Sequence, residues 1–167
     1  MKRVSELEQK QEWKEAFMDF TLNPRGILLF AGRNGTGKTF SSEAIYDSIS
    51  LPIHQDKMFI TQVDLFMRWQ KDIREWGNAT FLYDQIQQAK LFVLDDLGTR
   101  MPSESFKDYL YAVIEKRERN KHEKGTIITT NLNAEQMREM FGDAIVSRLA
   151  SGKVFRFEGK DRRFKNL

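Results

Sequence analysis

Cysteine is absent from this 167-residue chain, which excludes a disulfide-stapled scaffold and any metal centre built on thiolates. Histidine occurs only at His54 and His122, each isolated from other ligand-type residues, so neither is assigned a role. No apolar run approaches the roughly 20 residues that cross a bilayer, and Met1-Lys2-Arg3 leads into Ser5-Glu6-Leu7-Glu8 without the apolar core of a signal peptide. The expected location is the cytoplasm, with no membrane partner. Repeats, low-complexity tracts and Gly/Ser/Pro linkers are also missing, so nothing divides the chain into two folding units. What remains is ordinary for a globular domain able to bury its own core: 40% hydrophobic and 31% charged residues. The net charge of +3 permits an acidic partner such as nucleic acid without demanding one.

The stretch Gly32 to Thr39 reads Gly-Arg-Asn-Gly-Thr-Gly-Lys-Thr and matches G-x-x-x-x-G-K-[ST] in full. It follows the apolar run Ile27 to Ala31 and precedes a helix-like segment from Phe40 to Ile49, the strand, loop and helix order of a phosphate-binding loop. Backbone N–H groups of Gly35, Thr36 and Gly37 can turn inward on a polyphosphate, and the following helix aims its positive end at the same anion. Lys38 then reaches the terminal phosphates and the Thr39 hydroxyl holds Mg²⁺. The expected cofactors are ATP and Mg²⁺, with Gly32, Asn34 and Phe40 completing the nucleotide contacts. A glycine-rich turn that binds nothing is the plain alternative.

Further strands are expected at Lys57 to Thr61, Leu91 to Leu94, Thr126 to Thr130 and Val154 to Phe157. Helices are expected over Val63 to Trp76, Phe81 to Ala89, Ser103 to Arg119, Ala134 to Met140 and Asp143 to Ala150. The run Leu91-Phe92-Val93-Leu94 suits a strand buried on both faces of a parallel sheet, and it ends in Asp95-Asp96. Adjacent carboxylates do not suit a core, because unpaired charge is expensive to bury. They suit a metal site at the carboxyl edge of an α/β sheet. The fold class is α/β, a three-layer sandwich with a five-stranded parallel sheet.

With Gly32 to Thr39, Leu91 to Gly98, Thr129-Thr130-Asn131 and Ile145 to Leu149 in this order, the sequence resembles the DnaC/DnaI/IstB group of AAA+ ATPases, the helicase loaders and transposase helpers. The resemblance implies an AAA+ P-loop domain over residues 23–167, its lid absent or vestigial, behind a helical extension over residues 1–22. It implies Asp95 as the carboxylate of the metal shell and Asp96, where most AAA+ proteins have Glu, as the residue that polarises the attacking water. Asn131 resembles the sensor that positions water or γ-phosphate, and Arg148 the arginine finger offered to a neighbouring subunit's nucleotide. Arg163 falls near a second nucleotide-sensing arginine, with Arg162 as its rival. Implied partners are a replicative DnaB-type helicase or a host helicase loader, single-stranded DNA, and further copies in a ring or open helical oligomer. Ala144 departs from relatives that often have Arg there, and the short stretch before the loop departs from loaders that carry an N-terminal helicase-binding domain.

Because the replication-initiator branch binds single strands at this place, Arg68, Lys71 and Arg74 are expected to take phosphates, with Trp76 as a stacking face. A solvated charged face is the alternative. At the N-terminus, Phe17 and Phe20 are expected to pack on the chain's own core, leaving the part before Trp13 for a partner. On that reading residues 1–9 can be deleted without loss of folding. A transposition helper, a phage-type regulator of a host loader, a small-molecule P-loop kinase and a non-hydrolysing nucleotide-dependent module are the competing functions.

Overall fold

The computed structural model of the protein describes residues 3–7, 9–52 and 56–159. Among these, a 3₁₀ turn at Val4–Glu6 is followed by α1 (Gln11–Leu22), β1 (Gly26–Gly32), α2 (Lys38–Ser48), β2 (Lys57–Thr61), α3 (Gln62–Trp76) and α4 (Thr80–Gln88). Then come β3 (Leu91–Leu97), α5 (Glu104–Arg119), β4 (Gly125–Thr130), α6 (Ala134–Phe141), α7 (Asp143–Ala150) and β5 (Lys153–Phe157). Every strand pairing is parallel, in the order β2-β3-β4-β1-β5. Parallel neighbours need crossovers, and the helices that supply them cover both faces of the sheet.

Side-chain alternation along the strands builds the two outer layers. Leu28 and Phe30 of β1, Leu91 and Val93 of β3 and Ile127 of β4 join Phe17, Phe20, Ala44 and Ile45 from α1 and α2. Their alternates Leu29, Phe92, Leu94 and Ile128 join Leu65, Leu82, Phe106, Leu110 and Leu149 from the helices of the other face. The predicted three-layer α/β sandwich is therefore the observed one.

Phe17 is fully buried, its ring 5.1 Å from Phe30 and 5.0 Å from Phe155, so α1 is held by the first and last strands together. Self-packing of Phe17 and Phe20 is as expected. The expectation that the part before Trp13 stays free for a partner does not hold. Val4 and Leu7 are buried in the same cluster, where the 3₁₀ turn packs against α1 and α2. Removing residues 1–9 therefore strips two core side chains.

At the amino edge of the sheet lies a buried arginine. Arg117 of α5 is 1% exposed, and its Nε donates to Thr126 Oγ1 at 2.9 Å. One Nη1 donates to the carbonyls of Ile86 (3.1 Å) and Ala89 (2.7 Å), while Nη2 donates to that of Gly125. Ile86 lies in the last turn of α4 and Ala89 caps its end, where carbonyls have no partner within the helix, so the cation caps it and binds α4, α5 and β4 together. Burial lowers the guanidinium pKa to about 10, which leaves it charged at neutral pH. Arg117→Met removes the donors and strands four buried acceptors. We expect the variant to lose about 3 kcal/mol of unfolding free energy in urea titration. A loss below roughly 1 kcal/mol would assign the holding of α4 to packing alone.

Candidate nucleotide site

The loop between β1 and α2 takes its shape from Gly35 and Gly37, both in the left-handed region at φ 73° and φ 100°, where a Cβ is disfavoured. Gly32, at φ 151°, answers to a different neighbour: a Cβ there would lie 2.0 Å from the Phe157 carbonyl oxygen of β5. Thr36 is buried and donates to the Arg33 carbonyl at 2.8 Å. The Lys38 ammonium donates to the carbonyls of Gly32 and Arg33, each at 2.7 Å, which sets it over the loop at the helix N-terminus. Asn34 is exposed, and Phe40 is 44% exposed on the first turn of α2.

Across the sheet edge, the Thr39 hydroxyl lies 3.1 Å from both carboxylate oxygens of Asp95. Thr129 of β4 donates to Asp95 Oδ1 at 2.6 Å and accepts from the Asp96 N–H at 2.9 Å. The expectation that these carboxylates avoid the interior is corrected for Asp95, which is 3% exposed. Its charge is accommodated by two hydroxyl donors. Burial is the leading effect on the Asp95 carboxyl and pushes its pKa up; the Thr129 hydrogen bond opposes this, Asp96 adds to it, Thr39 opposes it and Glu43 adds to it. At the same point the β3–β4 register slips between Leu94 and Leu97, and Asp96 takes φ 56°. Asp is among the few residues that tolerate this conformation. The bulge separates the duties of the pair, with Asp95 facing Thr39 inside and Asp96 half-exposed at the edge.

The donor set fits the expected ligands. One buried carboxylate beside one hydroxyl suits Mg²⁺, which takes one or two protein oxygens and keeps waters, and the loop with Lys38 suits a polyphosphate. No group of three or more His, Cys, Asp or Glu poised for a metal occurs among the described residues. Asn131 directly follows β4, the strand between β1 and β3, so it stands exposed on the edge that carries the loop and the carboxylates.

Arg148 lies on α7, away from that cluster. Its Nη1 donates to the Ala144 carbonyl at 3.1 Å, and its Nη2 to the Tyr111 hydroxyl at 2.8 Å and to Glu115 at 3.4 Å, with the guanidinium 4.7 Å from the Tyr111 ring centre. Arg163 and Arg162 fall outside the described residues. On α3, helical spacing puts Met67, Lys71 and Arg74 on one exposed face. Arg68 donates to Gln85 of α4 at 3.0 Å, and Trp76, 73% exposed, overhangs the end of the helix away from that face. The four residues expected to bind DNA therefore do not form one stripe. Among the described residues, no helix is long and apolar enough to cross a membrane.

Sequence reading gave Thr129 no role, although two adjacent threonines following Ile127-Ile128 were a signal that the strand end is polar by design. A profile of the IstB-like ATP binding protein family matches residues 2–153. The chain belongs to this family. It is 26% identical over 126 residues to the replicative helicase loader DnaC of Escherichia coli strain K12, covering 75% of this chain and 50% of that protein. The chain thus spans about half the length of the curated relatives it matches. In fold it is similar to a crystal structure of the DnaC helicase loader (TM-score 0.78, 22% identity, 93% of this chain and 96% of that one). It is also similar to the replication initiator DnaA bound to AMPPCP and single-stranded DNA (TM-score 0.80, 16% identity, 95% and 50%). The architecture is accordingly that of an AAA+ P-loop domain of the DnaC/IstB type, in which ATP binding is expected.

The raised Asp95 pKa gives a stability prediction with a definite sign. Between the unfolded and folded pKa values the folded chain holds more protons, so the ionised carboxylate destabilises the fold once pH exceeds the folded value. Asp95→Asn keeps an acceptor for Thr129 and removes the charge. We expect it to melt at higher temperature than the wild type at neutral pH without nucleotide, the gap closing as pH falls below the ordinary carboxylate range. Lower melting than wild type at neutral pH would show that the two threonines outweigh desolvation.

Proposed function

We propose that the protein binds ATP with Mg²⁺ on Gly32 to Phe40 and hydrolyses it as a DNA-replication factor of the helicase-loader type. The single observation that carries the reading is the Thr39–Asp95 contact, which joins residues 56 positions apart at the mouth of the phosphate loop. In this reading Lys38 neutralises the terminal phosphates, and the Asp96 carboxylate orients the attacking water and accepts its proton. Asn131 places that water from the end of β4. The metal would be held by Thr39 and Asp95, and when bound it offsets the negative charge of the phosphates. Arg148 completes the site of a neighbouring copy in a ring or open helical assembly, and Arg163 senses the same nucleotide.

Similarity to a replicative helicase loader over half of that protein's length supports a replicative helicase or its loader as partner. Likeness in fold to an initiator solved with single-stranded DNA supports such DNA as a ligand, with Lys71 and Arg74 as phosphate contacts and Arg68 and Trp76 at the margins. The family match keeps a second reading, a transposase-helper ATPase with the same nucleotide chemistry. Purified helicase, loader and transposase tested in parallel distinguish the two, because a helper captures the transposase alone.

Lys38→Ala is expected to abolish ATP binding, whereas Asp96→Asn is expected to bind ATP as the wild type does and to lose turnover by about a hundredfold or more. Equal turnover by Asp96→Asn and wild type would remove Asp96 from the reaction. For DNA, neutralising Lys71 and Arg74 to Gln is expected to lower the slope of log affinity against log salt by about 1.4, two phosphates at roughly 0.7 each, with ATP affinity unchanged. An unchanged slope would assign these charges to a solvated face.

A further inference from the structure

Gln62 is the first residue of α3 and is 1% exposed, an unusual place for an amide. Both ends of that amide are used on one loop. Its Oε1 accepts from the Gly98 N–H at 2.7 Å, and its Nε2 donates to the Arg100 carbonyl at 2.8 Å. The partners are of opposite kinds, so the amide can sit only one way round. This loop begins two residues after Asp96, and its turn is closed by Thr99, whose N–H and hydroxyl both donate to the Asp96 carbonyl. A second tie runs beside the first, for the Arg100 guanidinium lies 4.3 Å from the centre of the Phe66 ring on α3. Residue Thr61, immediately before Gln62, pairs with Asp95 in the β2–β3 register.

We propose that Gln62 is a positioning residue that makes α3 and the carboxylate loop one mechanical unit, with the Arg100–Phe66 stack as auxiliary. Asp96 occupies a sparsely populated backbone conformation and sits at the pivot of that unit. A bound nucleotide whose attacking water hydrogen-bonds to the Asp96 carboxylate turns the loop, and Gln62 transmits the turn to the base of α3, whose exposed face carries Lys71 and Arg74. The link works in both directions: whatever binds that face biases the placement of Asp96. This inference rests on the nucleotide reading above and goes beyond it by naming the route between the ATP edge and α3.

The test is hydrogen exchange over residues 62–76, with and without a non-hydrolysable ATP analogue, alongside the analogue's affinity and the kcat and KM of ATP turnover. In the wild type the segment is expected to slow by about threefold or more on analogue binding. Gln62→Met keeps the volume and removes both hydrogen bonds. It is expected to bind the analogue within about twofold of wild type, lose the response in 62–76, and lower kcat about tenfold at unchanged KM. A merely structural role would lower stability and leave the response in place. Gln62→Glu, which keeps the acceptor for Gly98 and loses the donor to Arg100, and Arg100→Ala, on an exposed side chain, are expected to give intermediate responses and serve if the Met variant does not fold. Analogue binding by the wild type without a change in 62–76, or a wild-type response in all three variants, overturns the coupling alone. Failure of the wild type to bind the analogue overturns the nucleotide reading, and the coupling with it.

Discussion

A single buried carboxylate sets the terms for the rest of this domain. Asp95 is removed from water on a strand whose preceding residues are wholly apolar, and its charge is held by hydroxyls from α2 and β4. That requirement explains the polar ends of otherwise hydrophobic elements. Thr39 must begin a helix and Thr129 must come near the end of a strand, because only there does the sheet order bring both beside β3. Two neutral donors leave the negative charge only partly offset, so the site favours a cation or a phosphate-bound metal over an apolar occupant.

The opposite edge of the sheet shows the inverse arrangement. Arg117 is a buried cation surrounded by carbonyls and one hydroxyl, and the hydroxyl belongs to Thr126 on the same strand as Thr129. β4 thus holds the buried positive group near its start and the buried negative group near its end. Fixing both ends of one central strand limits sliding in either direction, since a two-residue slip of β4 would keep its apolar alternation but lose both polar contacts. The aromatic cluster of Phe17, Phe30 and Phe155 adds non-directional burial on one side.

Much of this was legible in the sequence, for a local reason. The phosphate loop, the strand ending in Asp95-Asp96 and the helix capped by Ser103 are each written in consecutive residues, and their patterns outweigh any ambiguity. Contacts through space were not legible. Gln62 falls between the expected strand ending at Thr61 and the expected helix starting at Val63, and nothing within ten positions announces that it begins the helix and grips residues 98 and 100. Arg148 was recognisable as a conspicuous arginine, yet its bracket of Tyr111 and Glu115 comes from a helix more than thirty residues away. Burial of Val4 and Leu7 escaped notice because the polar residues around them break the helical period.

The left-handed turn of the backbone at Asp96 bears on which carboxylic acid the position can hold. Four-atom acids such as aspartate hydrogen-bond locally and enter this region with modest strain, whereas the longer glutamate gains no such relief. Reach and torsion therefore pull in opposite directions, and the aspartate present here meets the torsional demand. If Asp96 orients the attacking water as proposed, an arm shortened by one methylene shifts the burden of approach to the reactants: that water would have to come nearer the strand than one served by a glutamate. On the proposed reading, the depth at which the terminal phosphate seats in the loop would then bear on turnover.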